Sequence, residues 1–152
     1  MVILAEVGSG LYELLLFLHI LAVVVAFSPA VVHALTGPKI MKDDETAGRA
    51  FSKAAAANSR IVYLPALLAV GILGFALVGV SDPAFKFTQA WVYSSALLWL
   101  AIGGIVSAVI IPGEKQVAAG DRAAESRVAA GGGIATLLFL IVLFLMVVKP
   151  GI

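Results

Sequence analysis

Two histidines, His19 and His33, are the side chains best suited to chemistry in this chain, and both lie within one apolar run, LYELLLFLHILAVVVAFSPAVVHAL, from Leu11 to Leu35. A run of about 25 residues is enough to cross a bilayer, and an ionisable group inside such a span is a functional candidate by default. A helix turns about 100° and rises about 1.5 Å per residue, so His19 and His33 return to within about 40° of one face, roughly 21 Å apart. Ala22, Ala26 and Ala30 fall on that face between them, and Tyr12 extends it. The result is a shallow groove of small side chains with an imidazole at each end, its phase shifted by Pro29. Such a groove has two uses. It lets a second helix approach closely, as small-xxx-small patterns do. Then His19 hydrogen-bonds to a Ser or Tyr across the contact, and His33 is wetted at the interface. Alternatively it seats a flat macrocycle, b-type haem, with His19 and His33 as candidate iron ligands. His19 lies nearer midspan and is the stronger candidate.

Three further groups bear on these readings. Arg60 opens the second span on the His33 side, beside Asn58. A guanidinium there suits a haem propionate or a lipid phosphate, or simply anchors the topology. Glu13, about one turn inside the first span, either snorkels to water or relays protons to the level of His19. Lys39 and Lys42 suit anionic lipid headgroups.

These residues need spans to position them, and the composition supplies them. The chain has 152 residues, of which 62% are hydrophobic and 12% charged, and its mean hydropathy is +1.10. Soluble domains are about 45–50% apolar and about 25% charged, so the excess requires lipid as solvent. The net charge of +1 gives no basis for binding nucleic acid. With no cysteine, disulfides, thiolate metal sites and covalent haem attachment are excluded.

The expected architecture is an all-α integral membrane four-helix bundle forming one domain, with spans at about 11–35, 61–80, 91–111 and 128–148. Gly8-Ser9-Gly10 breaks any helix before the first span, and Thr36-Gly37-Pro38 is expected to stop it. The first ten residues hold no Lys or Arg, so the first helix is expected to stay as a span. The polar segment 39–60, with Asp43, Asp44 and Glu45 ahead of Ala54 to Ala57, reads as a cytoplasmic helix running into the second span. Pro65 is tolerated near that span's start, and Ser81-Asp82-Pro83 ends it. Pro112-Gly113 is expected to terminate the third span, and Lys149-Pro150-Gly151 the fourth. Between the last two spans, Glu114 to Arg127 forms a charged connector, helical in part. Gly71, Gly74, Gly79, Gly103, Gly104 and Gly131 to Gly133 read as helix-contact positions. Ser94, Ser95 and Ser107 are expected to bond to neighbouring helices, while Trp91, Tyr93 and Trp99 serve as interface belt and packing.

Lys39, Lys42, Arg49, Lys53, Arg60, Lys115, Arg122 and Arg127 flank two of the connections, whereas only Lys86 and Lys149 lie on the opposite side. Eight against two predicts both basic connections in the cytoplasm and both termini outside, in an inner (plasma) membrane.

The stretch FLHILAVVVAFSPAVVHAL, together with LPALLAVGILGFALVGVSDPAFKFTQAWV, resembles a family of small four-helix bacterial membrane proteins of unknown function. Leu18-His19-Ile20 also resembles the opening helix of HemJ-type protoporphyrinogen oxidases and, more distantly, of CopD-type membrane proteins. The first of these resemblances implies a haem-ligand role for His19. The lysine that the HemJ type carries in a later helix has no counterpart within spans two to four here. The histidine spacing is similar to that of cytochrome b proteins, whose paired histidines on one helix ligate two haems. One such helix per chain then implies a homodimer or a larger membrane complex.

No phosphate-cradling glycine loop, HExxH motif, intramembrane carboxylate pair or based nucleophile is present. Met1, Met41 and Met146 form no copper path. The leading expectation is a haem b protein passing electrons within the bilayer. Its rivals are an accessory or assembly subunit without a cofactor, and a small transporter or channel gated at the level of His19.

Overall fold

The computed structural model describes residues 7–81 and 83–150. The expectations for the first six residues, for Asp82 and for Gly151 lie outside them. Among the described residues the regular structure is all helical. The elements are α1 (Gly10–Asp43), α2 (Glu45–Asn58), α3 (Leu64–Val80), α4 (Ala90–Ile105), α5 (Ile111–Ala118) and α6 (Ala123–Val148). A π-helical turn at Ser59–Tyr63 fuses α2 to α3, and another at Val106–Ile110 fuses α4 to α5. Four rods result, Gly10–Asp43, Glu45–Val80, Ala90–Ala118 and Ala123–Val148, each long and apolar enough to cross a membrane. Their outer faces are apolar as lipid requires: Leu35, Ile61 and Val147 are each more than 70% exposed.

α1 begins where Ser9 caps it, its hydroxyl accepting the Tyr12 N–H at 3.3 Å. It remains helical through Pro29. The Val25 carbonyl, which loses its usual donor at Pro29, accepts the Ser28 hydroxyl at 3.2 Å instead. The expected stop at Thr36-Gly37-Pro38 does not occur, and the helix runs on to Asp43. Packing overrides the local signal. Gly37 lies against the Phe51 ring, and Gly48 lies so close to Met41 that a Cβ there would fall 2.6 Å from the Met41 Cα. The extension of α1 thus packs on α2. Asp44 turns the chain between them and caps α2, its carboxylate accepting from Thr46 and Ala47 at 2.8 and 3.1 Å.

Pro112-Gly113 does not terminate the third rod either. Each π turn sits immediately before a residue–proline pair, Leu64-Pro65 and Ile111-Pro112. Proline has no N–H and its ring crowds the carbonyl four residues back, so the preceding turn widens by one residue. The Leu64 N–H then reaches Ser59 and the Ile111 N–H reaches Val106, both five residues back, and the helix continues beyond.

The rods pack as two hairpins. α1 lies mainly on α3, and α4 mainly on α6. At the basic end, α2 packs on α5 and joins the hairpins through Ala55, Ala56 and Val117, all nearly fully buried. The Glu45 carboxylate ties this end together by pairing with Arg49 and Arg122. Arg122 first, and Arg49 with it, hold that carboxyl below its ordinary range. In the middle, Leu67, Ile102 and Ala135 form the core, over which Phe27 and Phe139 stack at 3.8 Å between ring centroids. Toward the terminal end, which carries the 81–89 loop, the backbones of α3 and α4 approach only sparingly, and a second cluster of Val78, Trp91 and Val92, with Phe85, Leu145 and Met146, joins the hairpins there.

Candidate functional site

Between the hairpins lies a cavity of about 440 Å³. α1 contributes Tyr12, Leu16, His19, Ile20, Val23 and Phe27; α3 contributes Val70, Gly71, Gly74, Phe75, Leu77 and Val78. From the other hairpin come Trp91, Ser95, Ala96, Trp99 and Ile102 on α4, and Phe139, Val142 and Met146 on α6. The Phe27–Phe139 stack lies at the central end, above the core. At the other end are Phe85 and Lys149, the ammonium of Lys149 lying 4.6 Å from the Phe85 ring centroid.

His19 is the only buried residue of α1, at 6% exposure. Its ring turns toward α3, where it approaches the Val70 main-chain carbonyl and rests against Gly74. A Cβ on Gly74 would lie 3.3 Å from the His19 Cε1, so the glycine is what admits the ring. One helical turn away, Gly71 does the same for Trp99. The indole fills the space a side chain would occupy, and its N–H donates to the Leu67 carbonyl at 2.7 Å. That bond pins α4 to α3 beside the cavity.

Two buried polar atoms on the cavity wall have no hydrogen-bond partner: His19 Nδ1 and Ser95 Oγ. They come from opposite hairpins. A buried polar atom left unpaired costs roughly 1–3 kcal/mol, so two on residues that line one cavity call for an explanation. Ser95 was expected to bond to a neighbouring helix, but its hydroxyl has no such partner.

The other sequence candidates lie elsewhere. His33 is half-buried at the basic end, its ring edge-on to Phe51 at 5.2 Å and Tyr63 at 6.1 Å, and it does not line the cavity. His19 and His33 are therefore not brought together. Arg60 lines a separate groove with Lys115. Glu13 is exposed and also away from the cavity. The alanine face does not provide the space beside His19: Ala26 packs into the central core, and the cavity adjoins the face of Leu16, Ile20, Val23 and Phe27. Among the described residues no three His, Asp or Glu side chains cluster as a metal cage.

No protein-family profile, no curated protein and no solved structure matches this chain.

Proposed function

We propose that this protein is a multi-pass membrane protein that holds a flat apolar cofactor, b-type haem, in the cavity between its hairpins, with the His19 imidazole as iron ligand. The observation that carries this reading is a cavity of ligand size lined by His19, whose Nδ1 is buried without a hydrogen-bond partner. The residues present fit such a group. The walls are aromatic and aliphatic, Ala96 adds little bulk beside them, and Lys149 offers a cation to a propionate at the terminal end. Ser95, from the opposite hairpin, offers a hydroxyl to whatever lies between.

When bound, haem supplies one-electron redox chemistry. The chain's own part is to orient the imidazole against Gly74 and keep water out with apolar walls. Within this reading Arg60 and His33 have no contact with the cofactor, because neither lines the cavity. The stacked Phe27 and Phe139 rings block the central end, which counts against a conduit through the molecule.

The test is the optical spectrum of the detergent-solubilised full chain from haem-sufficient cells. A Soret band is expected, lost in His19→Ala and kept in His33→Ala. A colourless wild-type protein at full expression, or a band unaffected by His19→Ala, overturns the reading.

A further inference from the structure

A separate concavity lies at the basic end and is built quite differently. It is an open groove of about 300 Å³ lined by Arg60, Leu64, Ser107, Ile111, Pro112 and Lys115. Arg60 belongs to the first π turn and Ser107 to the second, and Leu64 and Ile111 are the residues that directly follow the two turns. Both interruptions of regular α-helix therefore flank the same groove, on neighbouring rods, and π turns recur at functional sites. The chain could carry Pro65 and Pro112 at any depth; it places both where a cation from each rod lines one concavity.

Arg60 and Lys115 are both exposed, and among the described residues neither forms an ion pair. The acidic side chain next to Lys115, Glu114, points away toward Ser52 on α2. Two free cations and a hydroxyl thus face one space with no carboxylate to neutralise them. The groove also has an apolar continuation. Leu64 leads at helical spacing to Leu68 and Ile72, which are 52% and 67% exposed along the flank of α3.

We infer that this groove binds the phosphodiester headgroup of an anionic phospholipid, with Arg60 and Lys115 on the phosphate, Ser107 donating to it, and an acyl chain lying along Leu64, Leu68 and Ile72. Guanidinium and ammonium groups are strong charge-assisted donors to phosphate, and partly screened cations at a membrane surface attract anionic lipid. A free phosphate has no use for the apolar flank. A choline headgroup would bring its own cation against two others. The inference is independent of the haem reading, since the groove and the cavity share no lining residue.

The experiment titrates the full chain in neutral detergent with phosphatidylglycerol, phosphatidylcholine or inorganic phosphate and counts bound molecules by native mass spectrometry. One phosphatidylglycerol per chain is expected to be retained in preference to the other two. The double variant R60Q/K115Q should bind it at least about tenfold more weakly, each single variant less so. The double variant K53Q/K86Q, which removes the same charge elsewhere on the molecule, should stay within about twofold of wild type. Circular dichroism on each variant verifies that the helices persist. Equal retention of phosphatidylcholine, binding of inorganic phosphate alone, or an equal loss in K53Q/K86Q overturns the assignment.

Discussion

Gly71 and Gly74 decide what stands beside the cavity, because each is the place where a ring from another rod meets α3. At Gly71 a Cβ would lie 2.3 Å from the Trp99 ring. That ring is held by its bond to the Leu67 carbonyl and cannot swing aside as a flexible chain would. Gly71→Ala should therefore displace the indole and lower stability by about 1–3 kcal/mol. Gly79, on the same helix, has nothing within 4 Å of its would-be Cβ. Gly79→Ala should leave thermal unfolding in detergent at or slightly above wild type, and equal losses in both variants would refute the contact argument. The two glycines look alike in the sequence, since nothing local tells which of them faces a ring. His19 was legible for the opposite reason: an imidazole among aliphatic side chains stands out whatever surrounds it. That Ser95 is left unpartnered was not legible, because a hydroxyl's partner depends on where the other hairpin stands.

At the scale of the elements, the four apolar runs were readable and their ends were not. Thr36-Gly37-Pro38 and Pro112-Gly113 are strong local breakers. They lost to contacts that form only in the folded chain: Gly37 against Phe51, Gly48 against Met41, and Gly113 against Val128, where a Cβ would come within 2.5 Å of a Val128 methyl. Pro38 lies within regular α1, and Pro65 and Pro112 are accommodated by π turns, so none of them ends a rod. The extensions they permit create the α2–α5 contact, and with it a buried acid. Glu114 lies beyond the apolar part of its rod, is 6% exposed, and faces Ser52. Burial pushes its carboxyl above the usual carboxylate range, and the Ser52 hydrogen bond offsets this in part. A carboxyl raised in the folded state binds its proton more tightly there than in the unfolded chain. Stability therefore falls as pH rises from the unfolded value through the folded one, and the penalty is complete above it. Glu114→Gln should remove that dependence and raise the melting temperature near neutral pH, with little change in acid. Melting curves across pH 4 to pH 8 test this on the order of one carboxyl titration. A slope unchanged in Glu114→Gln would assign the effect to another group.

For the molecule as a whole, α2 on α5 joins the hairpins at one end and the cavity lies between them toward the other, an asymmetry that the charges follow. The α2–α5 end carries eight of the ten Lys and Arg residues, and the cavity end, with Lys149, carries two. By the bias of basic loops toward the cytoplasm, the cavity should lie in the outer half of the membrane and the lipid groove in the inner leaflet, where anionic headgroups attract basic residues. The chain has no cysteine, so single introduced thiols report their side without background. In intact cells a membrane-impermeant maleimide should label Lys86→Cys, and should label Asp121→Cys only after permeabilisation. The reverse pattern would turn the molecule over. His19 would then stand in the half of the bilayer nearer the cytoplasm, and any electron reaching the cavity would have to enter from that side. On the haem reading, labelling thus fixes which compartment can supply a redox partner.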